Sequence, residues 1–156
     1  DTDNLFTDFL DLLKFEKSSY GSIYVDGKIK MENSIIIAGL GGSMRYNKGD
    51  NQHSEFGMLL RIIKLIPHLV WNRIFHKRYL DILITHAPPR GIHDEKDLCH
   101  RGFKVFLLFM KIFKPKYLIH GHVHIYDRNQ KRISRYFDTE VVNAFGYIIL
   151  NLEVNK

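Results

Sequence analysis

Two short apolar runs in this chain each lead into histidine, and they constrain the fold more than any other feature. Residues 82–84 are Ile-Leu-Ile and are followed by His86. Residues 117–119 are Tyr-Leu-Ile and are followed by His122 and His124. Runs of this length predict buried strands, and the ligands of open α/β sheets collect beyond the carboxyl ends of their strands. The two runs therefore predict two strands that share a site.

Helical patterns separate the predicted strands. Residues 54–66 predict a helix, and Pro67 is expected to break it or to open a second helix that runs to about residue 76. Apolar side chains spaced three and four apart predict another helix over residues 103–113, which Pro115 ends. The remaining expected elements are a helix over 4–15, a turn at Asp26-Gly27, and strands at 22–25, 35–38, 80–85, 117–120, 140–143 and 146–152. This alternation predicts an α/β layered fold with a largely buried sheet.

The composition is that of an ordinary globular protein. The 156 residues fit one domain or a part of one, and 45% of them are hydrophobic. No stretch of about 18 uninterrupted apolar residues occurs, so we expect no membrane partner. The single cysteine, Cys99, cannot form an internal disulfide, so we expect a reducing compartment, the cytoplasm. The sequence leaves the oligomeric state open.

The chain is basic, with 23 Lys and Arg residues against 17 Asp and Glu residues, which gives a net charge of +6. Such a charge admits nucleic acid or another polyanion as a partner. However, the basic residues are spread along the chain rather than gathered in one run, so we do not favour a nucleic-acid partner.

The histidines that follow the two apolar runs supply donor atoms for a metal ion. In an extended chain, residues two apart point to the same side, so His122 and His124 are expected to share a face. Imidazole nitrogen is a common ligand of transition metals. His120 is expected to pack within its strand or to support the ligands. Cys99 lies beside His100 and could therefore act as a thiol nucleophile, but we favour a thiol that has no role in catalysis.

Five stretches of the chain together follow a known pattern. They are residues 41–47 (Gly-Gly-Ser-Met-Arg-Tyr-Asn), 85–94 (Thr-His-Ala-Pro-Pro-Arg-Gly-Ile-His-Asp), 100–103 (His-Arg-Gly-Phe), 121–124 (Gly-His-Val-His) and 139–144 (Thr-Glu-Val-Val-Asn-Ala). In this combination they resemble the calcineurin-like metallophosphoesterase family, and the resemblance extends from Asp1 to about Glu153. It implies that the α/β fold is part of a four-layer α/β/β/α sandwich.

The resemblance also implies a function and the residues that carry it. Members of the family hydrolyse phosphomonoesters or phosphodiesters with two divalent metal ions, manganese, iron or zinc, which activate the attacking water. On this resemblance, His86 and His122 bind one metal ion and His124 binds the other. Arg45 and His93 are candidates for binding the phosphate-ester substrate, since an arginine can fork onto a phosphate oxygen.

Part of the family's pattern is missing from this chain. The family also has an Asp-x-His motif, a Gly-Asp motif and a Gly-Asn-His-Asp/Glu motif, all earlier in its domain, and Asp1 fits only as the last residue of the third. The resemblance therefore implies that residues 1–156 are the C-terminal portion of a single phosphoesterase domain whose N-terminal part is missing. The catalytic proton donor is expected to be a histidine just before Asp1, so we expect this chain alone to be inactive or nearly so. Residues 49–53 (Gly-Asp-Asn-Gln-His) mimic a missing motif, but no apolar strand precedes them.

Two other functions remain open. A relative with a degraded metal site could act as a protein-interaction scaffold without catalysis, and the metal content of the full-length protein would distinguish it. A nuclease or nucleic-acid-binding relative on the same fold would bind DNA with an affinity that falls steeply with salt.

Asn143 ends a predicted strand, and for it we favour stabilisation of a turn over contact with a substrate.

Overall fold

The structure is a computed structural model, and it describes residues 23–126 and 131–151 of the 156. The strands in this part of the chain are β1 (Ile29–Glu32), β2 (Ile35–Leu40), β3 (Ser43–Met44), β4 (Gln52–His53), β5 (Ile82–Thr85), β6 (Tyr117–His120), β7 (Ile133–Tyr136) and β8 (Thr139–Asn143). The helices are α1 (Glu55–His76) and α2 (Lys104–Phe113). The helix predicted over residues 4–15 lies outside the described residues.

Six of these strands form one sheet in the order β1-β2-β5-β6-β8-β7. Strands β2, β5, β6 and β8 run parallel, and the antiparallel strands β1 and β7 flank them. Both helices pack on one face of the sheet, where they share a core with Ile36 and Leu83. The other face carries a second apolar cluster around Ile82, Tyr117 and Val142. The α/β class predicted from the sequence is confirmed.

Helix α1 begins after Ser54, whose hydroxyl oxygen accepts a hydrogen bond from the backbone N–H of Gly57 over 3.0 Å, and this bond caps the helix. The expectation that Pro67 interrupts the helix is wrong, because α1 continues through Pro67 to His76. Proline costs a helix interior about 3 kcal/mol. Each large apolar side chain that the helix buries contributes about 1.5–3 kcal/mol, and those side chains are Met58, Ile62, Leu65 and Leu69. Tertiary packing on both sides of Pro67 therefore holds α1 together.

One helix and four strands lie where the sequence predicted them. The helix predicted over 103–113 is α2, which ends at Lys114 in the left-handed conformation, directly before Pro115. Its inward face consists of Phe106, Phe109, Met110 and Phe113. The strands predicted at 35–38, 80–85, 117–120 and 140–143 are β2, β5, β6 and β8.

Two strand predictions are wrong within the described residues. Residues 23–25 form no strand, although the chain does turn at Asp26-Gly27. The hairpin turn lies instead between β1 and β2, where Asn33 and Ser34 have φ angles of 48° and 67°, as a tight type I′ turn requires. Residues 146–151 also form no strand. The strand before them, β8, is already paired on both edges, with β6 and with β7. The sequence pattern did not predict β7.

Candidate metal centre

The parallel strands of the sheet end in one row. Thr85 at the end of β5 is in register with Leu40 of β2 and with His120 of β6. The pairing continues one residue further, because the N–H of His86 donates to the oxygen of Leu40 and the N–H of Gly121 donates to the oxygen of His86. The loops that follow these strands are therefore anchored side by side, at the edge where open α/β sheets bind their ligands.

His86 and His122 lie next to each other beyond this row. Their ring centres are 4.6 Å apart. Burial and the neighbouring His122 ring both lower the pKa of His86, so its imidazole is neutral at pH 7. Within the described residues, no hydrogen-bond partner contacts the ring of His86. A neutral imidazole with free nitrogens is the form that binds a metal ion.

A backbone oxygen orients the ring of His122. Its Nε2 donates a hydrogen bond to the oxygen of Cys99 over 2.7 Å. With the proton on Nε2, the lone pair of Nδ1 is the donor atom available to a metal. Metal-binding histidines are commonly fixed in this way by a hydrogen bond from the other ring nitrogen.

The backbone through residues 121–124 is a tight turn. His122 has a φ of 64°, and the N–H of Val123 donates to the oxygen of Gly121 over 2.7 Å. The side chain of Asn143 is buried and holds the turn through a bond of 2.9 Å from its Nδ2 to the oxygen of Val123. The turn-stabilising role predicted for Asn143 is confirmed. The expectation that this segment is extended is wrong, because the left-handed φ of His122 turns the chain there.

His124 contacts a different set of residues. Its ring stacks on Phe145 with centres 4.5 Å apart, and its Nδ1 lies 3.1 Å from the hydroxyl of Tyr126. No ring contact joins His124 to His86 or His122 in the part of the chain that the structure describes. The structure thus brings two of the three predicted ligands together, and the metal-binding role of His124 stays a prediction.

A line of hydrogen bonds runs from Ser134 to the turn that carries His122. Nδ1 of His120 lies 3.0 Å from the oxygen of Gly121, and Nε2 of His120 lies 3.0 Å from Nδ1 of His93. Nε2 of His93 lies 2.8 Å from the hydroxyl of Ser134. Because a carbonyl only accepts, His120 donates to Gly121, His93 donates to His120, and Ser134 donates to His93. Burial lowers the pKa of His120 to about 4 and also lowers that of His93, so both rings are neutral.

A cleft of about 610 Å³ opens beside the two adjacent histidines. Its lining is mostly polar and consists of Tyr24, Asp26, Gly41, Gly42, Ser43, Tyr46, Asp50, Asn51, Gln52, His86 and His122. The two residues predicted to bind substrate are not part of this lining. His93 is held between His120 and Ser134, and Arg45 is exposed, with its Nη2 donating to the oxygen of Gln52 over 3.4 Å. Substrate contact by Arg45 or His93 stays a prediction.

Asp26 in this cleft is a residue that the sequence analysis missed. Its Oδ1 accepts hydrogen bonds from the backbone N–H of Gly41 and from the guanidinium of Arg61. Burial opposes ionisation of the Asp26 carboxyl, but these two hydrogen bonds outweigh burial and lower its pKa. The carboxylate therefore anchors the loop that follows β2. Asp26 and Arg61 are 35 residues apart, so their pairing leaves no local pattern.

A second group of donor atoms lies against His122. Asp97, Cys99 and His100 place possible ligand atoms within 4.8 Å of one another, and the ring of His100 is 5.3 Å from that of His122. The backbone N–H of His100, and then its ring, lower the pKa of Asp97. The half-buried Cys99 contributes its thiol to this group and its backbone oxygen to His122.

Comparison with known families decides what kind of protein this is. The family model described as calcineurin-like phosphoesterase matches residues 5–126, most of the 156 residues. The chain belongs to the calcineurin-like phosphoesterase family. The resemblance stated from the sequence is confirmed, and it places the protein among phosphoesterases that generally use divalent metal ions. No protein of curated function matches the chain.

Solved structures show the same phosphoesterase fold. One crystal structure shares 18% sequence identity with this chain and superposes on it with a TM-score of 0.57. The match covers 88% of this chain and 51% of the chain in that structure. The crystal structure of TT1561 of Thermus thermophilus shares 16% sequence identity with this chain and superposes on it with a TM-score of 0.51. The match covers 78% of this chain and 48% of the TT1561 chain. The chain thus spans about half the length of these two structures.

The donor atoms that this chain brings together suit one metal ion. Two imidazoles meet at the strand ends, and no described residue forms a hydrogen bond with the ring of His86 or with Nδ1 of His122. Asp26 and Asp50 contribute carboxylates to the lining of the same cleft. Such a mixture of nitrogen and oxygen donors fits a divalent transition metal.

Proposed function

We propose that the protein hydrolyses a phosphomonoester or a phosphodiester with metal-activated water. In this proposal His86 and His122 bind one of two divalent ions, manganese, iron or zinc, and His124 binds the other. The proposal is supported above all by the contact between His86 and His122, whose rings are 4.6 Å apart although the residues are distant in sequence. Their imidazoles lie beside a cleft of about 610 Å³ that can hold a phosphate ester.

The chemistry of phosphate esters explains why such a site is needed. A phosphate ester is anionic and repels hydroxide, and a pair of divalent ions offsets this charge and lowers the pKa of bound water to about 7. The chain's own residues prepare the site for this role. Cys99 keeps the proton of His122 on Nε2, and Asn143 holds the turn on which His122 lies.

We further propose that residues 1–156 are the C-terminal portion of one phosphoesterase domain. This is supported by the share of the solved structures that the chain covers, about half. The activity then belongs to the full-length protein, and a histidine before Asp1 would give its proton to the leaving group. The cytoplasm is the proposed compartment, since the chain has a single cysteine.

Metal binding by the 156-residue chain tests the proposed ligands. Calorimetric titration with Mn²⁺ or Zn²⁺ is expected to give one tight site, and His122→Ala or His86→Ala is expected to weaken it by at least about tenfold. His68→Ala is the matched control, because His68 is an exposed histidine on α1. Equal affinity in His122→Ala and His68→Ala would show that the predicted ligands do not bind the metal.

Hydrolysis of p-nitrophenyl phosphate and of bis-p-nitrophenyl phosphate tests the reaction. We expect turnover by the full-length protein with added Mn²⁺, loss of turnover in His122→Ala, and little or none from residues 1–156 alone. Strong turnover by the 156-residue chain would contradict the division of the site between two parts of the domain.

A non-catalytic scaffold is the second candidate, and the environment of His124 favours it. Instead of joining His86 and His122, this exposed ring stacks on Phe145. A full-length protein that binds no metal and hydrolyses neither substrate would support the scaffold and exclude the hydrolase.

A further inference from the structure

The outer face of helix α1 carries an exposed apolar stripe. Its members recur three and four residues apart, on the side opposite the buried stripe, and are Phe56, Leu60, Ile63, Val70, Trp71, Ile74 and Phe75, each between 44% and 66% exposed. At a rise of 1.5 Å per residue the stripe is about 28 Å long. The rings of Trp71 and Phe75 form a pair with centres 4.1 Å apart. Helix α1 is therefore apolar on two faces, and the core covers only one of them.

Helix α2 extends the same outer layer. It packs against α1 through the shared core, and it leaves Leu108 and Ile112 about half exposed, at 50% and 49%. Large continuous apolar surfaces are rare on proteins that have no partner. The outer layer of the two helices thus has the character of a binding surface.

Apart from Glu55 at the start of α1, whose carboxylate accepts the backbone N–H groups of Lys104 and Val105, the charged residues of this layer are basic. From Phe56 to Leu80 and from Lys104 to Lys116 the sequence contains nine Lys and Arg residues and no Asp or Glu. Some of these cations are paired with acids of other elements, as in the contacts Arg61–Asp26, Arg78–Asp81 and Lys114–Asp138. The structure shows no salt bridge for Lys64, Lys77 or Lys104 with any described residue. An excess of positive charge therefore borders the apolar stripe.

A basic cleft lies where the C-terminal ends of α1 and α2 meet. It has a volume of about 410 Å³, and its lining includes Arg73, Lys77, Arg78, Ile112 and Lys114. The guanidinium of Arg73 donates to the backbone oxygen of Lys77 over 2.6 Å and lies 6.0 Å from the centre of the Tyr79 ring. Guanidinium and ammonium groups that converge in this way suit a phosphate group.

We propose that this outer helical face rests on an anionic lipid bilayer. The apolar stripe enters the boundary between headgroups and acyl chains, the lysines hold anionic headgroups, and the cleft between the helix ends takes one lipid phosphate. A helix with Trp and Phe on an apolar face and Lys and Arg beside it is the kind that lies in a membrane interface, and each basic residue near such a surface adds attraction. The apolar stripe alone would also suit a protein partner, and the excess of positive charge beside it favours an anionic surface.

The proposed contact is a surface association. No helix among the described residues is long and apolar enough to cross a bilayer. No membrane partner is expected from the sequence because it has no apolar stretch long enough to span a bilayer. A helix that lies flat on the lipid needs no such stretch.

Trp71 makes the proposal directly testable, because it is the chain's only tryptophan and belongs to the apolar stripe. The 156-residue chain is titrated with phosphatidylcholine vesicles that contain 30% or no phosphatidylglycerol, and the flotation is repeated with the full-length protein, whose failure to bind would show that another part of the domain covers this face. We expect a blue shift of Trp71 emission and co-flotation of the protein only with the anionic vesicles, and weaker binding at higher salt. Equal binding to both vesicle types, or binding to neither, would overturn the proposal.

Substitutions on the surface identify the face that binds. Ile74→Glu is expected to reduce the partition coefficient at least about tenfold, and Lys77→Ala about fivefold. Ile149→Glu is the matched control, because Ile149 is 84% exposed outside the two helices, and it should bind like the unchanged chain. Circular dichroism checks that each variant is folded, and the salt dependence of the unchanged chain tests the proposal without any variant.

Two alternative occupants of the face would be recognised in the same experiments. A dimer that Ile74→Glu dissociates in analytical ultracentrifugation, without vesicle binding, would assign the stripe to a second copy of the chain and overturn the proposal. Binding to duplex DNA without binding to anionic vesicles would assign the cations to nucleic acid and would overturn it as well.

Discussion

Asn143 holds Val123 through a buried hydrogen bond of 2.9 Å from its side-chain Nδ2 to the backbone oxygen of Val123. The side-chain oxygen Oδ1 of Asn143 also accepts a hydrogen bond, from the backbone N–H of Phe145 over 2.9 Å. One fully buried side chain at the end of β8 therefore connects that strand to the turn on which His122 lies.

Asn143→Ala is expected to destabilise the fold strongly. It removes both hydrogen bonds and leaves the buried oxygen of Val123 without a partner, so the free energy of unfolding should fall by about 2–3 kcal/mol. Urea unfolding measures this change. The exposed Asn151 supplies the control, and Asn151→Ala should stay within about 0.5 kcal/mol. A similar small effect at Asn143 would mean that its amide does not hold the turn.

The stability of the metal-free chain is expected to fall as the pH is lowered from 6.5 to 4. The pKa of His120 is about 4 in the folded chain, below its ordinary value of 6.5, because the ring is buried. Between these two values the unfolded chain binds the proton and the folded chain does not, so acid favours unfolding. The difference corresponds to about 3 kcal/mol at most.

Urea unfolding in EDTA at several pH values tests this dependence. His53, His86 and His93 contribute in the same direction, since the pKa of each is lowered chiefly by burial. His120→Gln should therefore reduce the slope between pH 6.5 and 4 without removing it. A slope that is unchanged in His120→Gln would show that His120 is not a buried neutral ring.

Pro67→Ala is expected to stabilise the protein. Pro67 lies inside α1 and is exposed, so alanine would restore a backbone N–H without disturbing the core. The gain should be about 2 kcal/mol, less than the full difference in helix propensity, because alanine also gives the unfolded chain more freedom. His68→Ala, at the neighbouring exposed position of the same helix, should change stability by less than about 0.5 kcal/mol. No gain at Pro67 would indicate that the helix is interrupted there.

Asp26→Asn is expected to loosen the loop that follows β2. The carboxylate would no longer offset the charge of Arg61, whose Nε is buried and has no hydrogen-bond partner within the described residues. Since both side chains are partly exposed, the loss should be only about 1 kcal/mol. Hydrogen exchange of the Gly41 amide should become faster. Asp50→Asn is the control, because Asp50 is exposed, and equal exchange rates in the two variants would contradict the anchoring role of Asp26.

Local sequence patterns predicted the framework of the site correctly. Apolar runs of three or four residues predicted β2, β5 and β6, and a stripe at helical spacing predicted α2. Parallel strands in one sheet end at the same edge, and so the histidines after β5 and β6 were expected to meet. The contact between His86 and His122 agrees with that expectation. The sequence carried these features because strand and helix periodicities are properties of neighbouring residues.

The direction of individual side chains at the site could not be predicted in this way. The left-handed φ of His122 depends on a buried amide from β8, and the stacking of His124 depends on Phe145, which lies after that strand. Asp26 was predicted only as part of a turn, because its partner Arg61 is on a helix far along the chain.

The sequence by itself determined the α/β framework, the family, and the placement of histidines at strand ends, since each of these follows from short-range patterns of apolar and polar residues. Only the tertiary structure decided that α1 continues through Pro67, that the chain turns at His122 instead of staying extended, and that one side of α1 is exposed. These features depend on contacts between distant segments, whose free energies exceed the local preferences of proline or of an extended chain.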